Sequence, residues 1–227
     1  MSGHVMLVAC LAPAGLALGW VQRPLIARYV PRASSCVVTP PAGGVTTRDL
    51  VRPSALAPGI VTAVLFVLLG ACVQSGFLLG AACALAVIAV PLAFVDAAVH
   101  RLPDPLTVAA YAVTVAGLLI AAADGGHWDA LGRAAAGGAA LAGFYLLLAL
   151  ISPSGMGLGD VKLAASLGTL LAWTSWRVLI LGGFTGFMLA AVYSVALLAF
   201  GRTTRKQQIP FGPFMLAGAF LLLLFTA

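Results

Sequence analysis

Long apolar segments that contain almost no charge determine what this chain can fold into. Eight of them follow one another, and 62% of the 227 residues are hydrophobic whereas only 8% are charged. A water-soluble domain of this size has no core large enough to bury so much apolar surface. The apolar runs are continuous rather than alternating, which favours helices over barrel strands. The sequence therefore predicts an all-α membrane protein, a polytopic bundle of about eight transmembrane helices.

Most of the segments reach the length of about 17 to 25 residues that a spanning helix needs. They cover residues 5–21, 56–73, 77–95, 105–123, 130–151, 161–176, 178–200 and 210–226. The sixth is short, contains Lys162 and follows three alternating glycines, which is typical of a partial, broken or thin-membrane helix. The only sizeable loop runs from Gln22 to Ala55. We therefore divide the chain into an N-terminal anchor helix with a loop, residues 1–55, and a membrane domain, residues 56–227.

The basic residues predict the orientation of the chain. If the chain starts outside and crosses eight times, only Arg133 and Arg177 lie on the outer side. The other ten lie on the inner side: Arg23, Arg28, Arg32, Arg48, Arg52, Arg101, Lys162, Arg202, Arg205 and Lys206. This asymmetry is what the positive-inside rule expects, and it predicts that both termini lie outside the cytoplasm. A re-entrant sixth segment would invert the last two spans instead.

The net charge of +6 is thus a signal of membrane topology. The basic residues are scattered over several loops, whereas a nucleic-acid site gathers them on one face. We therefore expect the lipid bilayer, and no nucleic acid, as a partner.

Two of the six acidic residues, Asp96 and Asp160, lie at the predicted membrane boundaries, where a charge is costly unless it has a partner or a function. Asp96 follows the apolar segment 77–95, at a helix C-terminus, where the helix dipole disfavours a negative charge. It therefore needs a partner or a function. Asp160 ends a glycine-rich run and is suited to cap a helix that begins at Val161. Asp104 precedes Pro105, a pair typical of helix starts, so a capping role is expected for it.

Two carboxylates that face each other in a partly dry site cannot both ionise easily, so they tend to share a proton. The ionised member can then act as general base on a water, while the protonated member donates to a scissile amide. The three histidines are scattered and the four cysteines show no C-x-x-C spacing, so we expect neither a metal nor a cofactor. Glycines at 155, 157 and 159 favour a kinked or unwound backbone before Asp160.

Two other functions remain open from the residues alone. Intramembrane acids also mark ion pathways, so the pair is compatible with a small proton-coupled transporter or channel. A non-catalytic scaffold of a membrane complex is the third possibility, but it leaves the paired acids unexplained.

Three blocks of sequence resemble the type IV prepilin leader peptidases, which are G-x-G-D intramembrane aspartyl proteases. These blocks are Asp96 through Leu102-Pro103-Asp104, then Gly-Met-Gly157-Leu-Gly159-Asp160-Val-Lys162, then Ile-Pro-Phe-Gly-Pro-Phe at 209–214. They occur in the family's order, and the resemblance covers roughly residues 56–227.

The resemblance implies that Asp96 and Asp160 are catalytic. The remaining motif residues, which would support the site, are Leu102, Pro103, Asp104, Gly157, Gly159 and Lys162. It further implies pilin-like precursors as substrates, whose short basic leader is removed after a glycine, ahead of their apolar helix. Cleavage would take place at the cytoplasmic face of a bacterial cell membrane.

Longer members of the family carry two cysteine pairs in the first cytoplasmic loop and also methylate the new N-terminus with S-adenosylmethionine. Here that loop contains only Cys36, and no glycine-rich nucleotide motif replaces the pairs. We therefore expect peptidase activity without methyl transfer.

Overall fold

The computed structural model describes residues 2–30, 56–152, 156–200 and 210–226. Within these ranges the chain forms eight helices and no strand, which confirms the all-α prediction. In chain order the helices are α1 (Ser2–Tyr29), α2 (Ala57–Cys72), α3 (Gly76–Val99), α4 (Asp104–Gly125), α5 (Trp128–Ile151), α6 (Leu158–Thr174), α7 (Trp176–Ala199) and α8 (Gly212–Thr226).

The helices have the length and composition of a multi-pass membrane protein. Four of them, α3, α4, α5 and α7, are long and apolar enough to cross a bilayer, and α2 and α8 are shorter apolar helices. The sixth segment forms α6, an unbroken helix of 17 residues, so the broken form considered above is wrong. At a rise of about 1.5 Å per residue, α6 is roughly 25 Å long, slightly less than the hydrocarbon core of a typical bilayer.

The first helix is longer than predicted. We expected a loop from Gln22 onward, but α1 continues through Pro24 to Tyr29. Gln22 is buried and accepts a hydrogen bond from the Thr62 hydroxyl of α2 at 3.3 Å, so packing against α2 stabilises this extension. The rest of the predicted loop, including Cys36, lies outside the described residues, as do Gly155 and residues 201–209.

Glycines spaced four residues apart allow close helix contacts in two places. A Cβ added to Gly15 or Gly19 of α1 would overlap the backbone of α2, and one added to Gly186 of α7 would lie 3.2 Å from the backbone of α8. Gly76 and Gly80 share this spacing but make no such contact, since nothing lies within 4 Å of either position. The close contacts bring pairs of helices together as expected for membrane bundles.

The bundle gathers four helix ends on one side. Helix α3 packs against α4 and α8, and α6 packs against α4, α5 and α8. Helices α5 and α6 run antiparallel: Arg133, near the start of α5, donates to the carbonyls of Ala172 and Trp173 at the end of α6. The C-terminal end of α3 and the N-terminal ends of α4, α6 and α8 therefore lie together at the opposite end of the bundle.

Candidate active site

Asp96 lies in the last turn of α3 and is 3% exposed. One of its carboxylate oxygens, Oδ2, accepts a hydrogen bond of 2.9 Å from the backbone N–H of Gly212. Gly212 is the first residue of α8, and a helix N-terminus carries free N–H groups and partial positive charge. Asp96, for which the sequence predicted a partner or a function, is therefore hydrogen-bonded to the start of the last helix, 116 residues away.

Gly212 is required by this close approach. A Cβ at position 212 would lie 2.9 Å from Asp96 Oδ2 and 3.3 Å from its Cγ. A larger residue would push the carboxylate away from the N–H that it binds.

Asp160 is the third residue of α6 and is 6% exposed. Its Oδ2 accepts a hydrogen bond of 3.1 Å from the N–H of Gly157, the residue that precedes the helix. Our expectation that Asp160 caps a helix beginning at Val161 is wrong in position, since the helix begins at Leu158 and the aspartate binds backward to its N-cap. The other oxygen, Oδ1, is buried and has no hydrogen-bond partner among the described atoms.

The two carboxylates lie within electrostatic range of each other. Each carboxylate thus uses one oxygen for a backbone N–H of a glycine, and they come from different helices that end on the same side of the bundle.

The segment between α3 and α4 packs directly on the glycine-rich motif. A Cβ added to Gly159 would lie 2.8 Å from Leu102 Cβ and 3.3 Å from the Leu102 carbonyl oxygen. Gly157 is different, because a Cβ there would make only an ordinary contact of 3.5 Å with Asp160 Oδ2. Leu102 and Gly159 therefore fix the position of Asp160 relative to the segment that follows Asp96.

A second contact joins the same two segments. Lys162 Nζ lies 2.6 Å from Asp104 Oδ1 in an ion pair whose side chains are 44% and 70% exposed. The predicted capping role of Asp104 is wrong: Pro103 is the N-cap of α4, no side chain caps it, and the Asp104 carboxylate binds Lys162 instead. Exposed ion pairs contribute little to stability, so this one mainly orients the two segments.

His100 ends α3 in an unusual conformation. It is the one non-glycine residue with positive φ in the described part of the chain, with φ 54° and ψ 35°, and its N–H donates to the Asp96 carbonyl. A left-handed residue after the last turn is a common helix stop, usually glycine. His100 is therefore the C-cap of the helix that carries Asp96.

Sequence reasoning missed Tyr145. This residue of α5 is 1% exposed, and its ring packs against Phe211 with the centroids 5.8 Å apart. Phe211 directly precedes Gly212, whose N–H binds Asp96, and Tyr145 lies within electrostatic range of Asp160. Tyr145 therefore lies between the segments that hold the two carboxylates. Because Tyr145 stands in an apolar run, the sequence gave no signal that it lies beside the site.

The arrangement is suited to acid–base chemistry by two carboxyl groups. Both are withdrawn from bulk solvent, and one oxygen of each is already fixed by a hydrogen bond. Such a pair can hold one proton between its members and act as base and acid in turn. Within the described ranges no three His, Cys, Asp or Glu side chains come together as metal ligands would.

Comparisons with known proteins identify the family of the segment that contains the site. The model of the type IV leader peptidase family matches residues 83–226, which include both aspartates, Leu102 and Gly212. No solved structure matches the chain significantly.

Several curated relatives share the name prepilin leader peptidase/N-methyltransferase. The one from Aeromonas salmonicida is 31% identical over 172 residues, which are 73% of this chain and 56% of that protein. The one from Bacillus subtilis is 35% identical over 88 residues, 38% of this chain and 34% of that protein. A leader peptidase of Salmonella typhimurium is 41% identical over 68 residues, 30% of this chain and 42% of that protein.

The chain thus spans little more than half the length of the first of these relatives. The family match covers well over half of the chain and contains every segment that forms the site. The chain therefore belongs to the type IV leader peptidase family.

Proposed function

We propose that this protein is an intramembrane aspartic endopeptidase that removes the leader of type IV pilin-like precursors, with Asp96 and Asp160 as its catalytic pair. The observation that carries the proposal is the state of the two carboxyl groups. Both are more than nine-tenths buried, each is held by one backbone N–H, and Asp160 Oδ1 has no partner among the described atoms. A buried polar atom without a partner is costly unless a proton, a water or a substrate completes it.

The proposed reaction is hydrolysis of one peptide bond. One carboxylate takes a proton from a water as its oxygen adds to the scissile carbonyl carbon. The protonated partner donates to the carbonyl oxygen, which gives a tetrahedral diol. The first carboxyl group then passes the proton from the water to the leaving nitrogen as the C–N bond breaks, and one hydroxyl of the diol returns its proton to the partner. Shared protonation lets the same pair supply the base and the acid, so no nucleophilic side chain is needed.

We propose the cytoplasmic face of a bacterial cell membrane as the place of cleavage. The support is the charge distribution, since ten of the twelve basic residues would lie on the side of the membrane that holds Asp96, Asp104 and Asp160. Both termini would then lie outside the cytoplasm. The bond cleaved would follow a glycine at the end of a short basic leader, ahead of the apolar helix of the substrate.

The relatives' name also includes an N-methyltransferase, but we propose peptidase activity alone for this chain. The support is the sequence of the loop at 22–55, which has Cys36 and no cysteine pair. Methylation adds about 14 mass units to the mature N-terminus, so intact mass spectrometry separates the two outcomes.

The test is coexpression of the chain with a pilin precursor, followed by immunoblotting and intact mass measurement. We expect the wild type to release an unmethylated mature pilin and both Asp96→Asn and Asp160→Asn to abolish release. Asp104→Asn should retain substantial activity, because this exposed side chain keeps an oxygen that can accept from Lys162. Asp124→Asn is the matched control, since it makes the same change to an exposed aspartate at the other end of α4 and should leave release unchanged. Processing that survives both Asp96→Asn and Asp160→Asn would refute the proposal and favour the transporter.

A further inference from the structure

We infer that the apolar groove between α2, α3 and α8 is the docking site for the apolar helix of the substrate. This inference rests on the proposed function and specifies where the partner binds. The groove has a volume of about 590 Å³, and its walls are apolar side chains of these three helices.

The groove leads to the candidate catalytic pair. On α3 it includes Phe94 and Ala97, which flank Asp96 in the sequence. On α8 it begins at Pro213, the residue after the glycine whose N–H binds Asp96. A helix lying in the groove would therefore present one of its ends beside the Asp96 carboxylate.

The walls suit a helix better than a lipid chain. Ala89, Ala93 and Ala97 of α3 recur every fourth residue along the groove, and Ala217 of α8 faces it from the other side. Small residues at this spacing let a second helix approach closely, which is how helices associate in membranes. The binding of a lipid chain does not depend on such spacing, because a flexible chain covers any apolar surface.

The length of the groove agrees with this occupant. Along α8 it extends from Pro213 to Leu224, roughly 16 Å at about 1.5 Å per residue, or three helical turns. It thus accommodates the first turns of an apolar helix, with the scissile bond just beyond its N-terminal end. An apolar helix placed in this way would position its leader at the site without any charge pairing in the groove.

The first experiment is site-specific photo-crosslinking in the Asp160→Asn background, which traps substrate and leaves the Asp96–Gly212 contact in place. A benzophenone amino acid replaces Val64 or Leu221, which are partly exposed residues of the groove. The control position is Val192 of α7, which is 60% exposed and lies outside the groove. We expect crosslinks to the precursor from both groove positions and not from Val192.

The second experiment fills the groove. We expect Ala217→Trp to reduce cleavage of the full precursor at least tenfold through KM, while a short peptide that spans the cleavage site and lacks the apolar helix is cut as by the wild type. Ala191→Trp, at an exposed alanine of α7, should leave both rates unchanged. Loss of both substrates in Ala217→Trp would mean that the site itself is damaged, and would count against the inference.

The outcomes separate the two proposals. If the wild type cleaves the precursor but the groove positions crosslink only lipid, or a second copy of the chain, the docking inference is wrong and the proposed function stands. If the wild type cleaves no pilin-like precursor, the proposed function fails first.

Discussion

Substitution of Gly159 by alanine tests whether packing between two motifs sets the distance between the carboxylates. The new Cβ would lie 2.8 Å from Leu102 Cβ. Carbon atoms in unstrained contact are about 3.5 to 4.0 Å apart, so α6 and the segment after Asp96 must separate by roughly 0.7 to 1.2 Å. A misplacement of about 1 Å is expected to reduce a rate about 100-fold.

The assay is the rate of leader removal in membranes, normalised to the amount of folded protein. Gly157→Ala is the matched control, since its Cβ would make an ordinary contact of 3.5 Å and its backbone, at φ −83° and ψ 151°, suits any residue. We expect Gly157→Ala to stay within about threefold of the wild type, a difference below about 1 kcal/mol in activation free energy.

A second substitution tests the cause. Leu102→Gly removes the Cβ that meets the new one, so the double variant should recover part of the rate lost by Gly159→Ala. Recovery stays incomplete because the Leu102 carbonyl oxygen, at 3.3 Å from the added Cβ, remains. Independent effects of the two substitutions, or an equal loss in Gly157→Ala and Gly159→Ala, would refute the packing argument.

Three further predictions follow from single contacts. Gly212→Ala should abolish leader removal while the protein stays folded, because the added Cβ displaces the Asp96 carboxylate. Its control is Gly80→Ala, where nothing lies within 4 Å of the added Cβ. This control should keep the activity and raise the thermal midpoint, because alanine is favoured over glycine inside a helix. Arg133→Met should lower the free energy of unfolding by on the order of 2 kcal/mol, since α6 loses the donors at its C-terminus, and an unchanged midpoint in differential scanning fluorimetry would contradict this. His100→Gly should keep the wild-type rate and stabilise the protein by up to about 1 kcal/mol, because glycine adopts the left-handed conformation without strain; a lost rate would instead indicate a chemical role for the imidazole.

The sequence predicted the helices well because the apolar segments are long and charge is rare. All eight segments correspond to a described helix, and the largest differences lie at the ends. Helix α1 extends eight residues beyond Val21 because Gln22 is buried against α2 and Pro24 does not interrupt the helix. Such an extension depends on a contact with residues forty positions away, which no local pattern reports.

The sequence predicted the two carboxylates of the candidate site but not the groups that hold them. Asp96 and Asp160 stood out because buried charge needs a reason, and the structure brings both to one end of the bundle. Their partners did not stand out. The block at 209–214 was recognised as a motif, but its physical role, an N–H donor for Asp96, needs the fold. Tyr145 has no local signature, because its position beside the site is defined only by Phe211 and Asp160, which belong to other segments.

The polar groups along α6 argue for a site that opens at one end of the bundle. A proton or ion path would continue from Asp160 through the membrane along free polar side chains. Three buried hydroxyls follow Asp160 on α6. Those of Ser166 and Thr169 donate to carbonyls of their own helix, those of Lys162 and Ala165. The hydroxyl of Thr174, at the far end of the helix, has no partner among the described atoms. Because the two hydroxyls between Asp160 and Thr174 are bonded within the helix, α6 offers no continuous relay. Because hydrolysis of a peptide needs access from one side only, this arrangement favours a peptidase over a transporter.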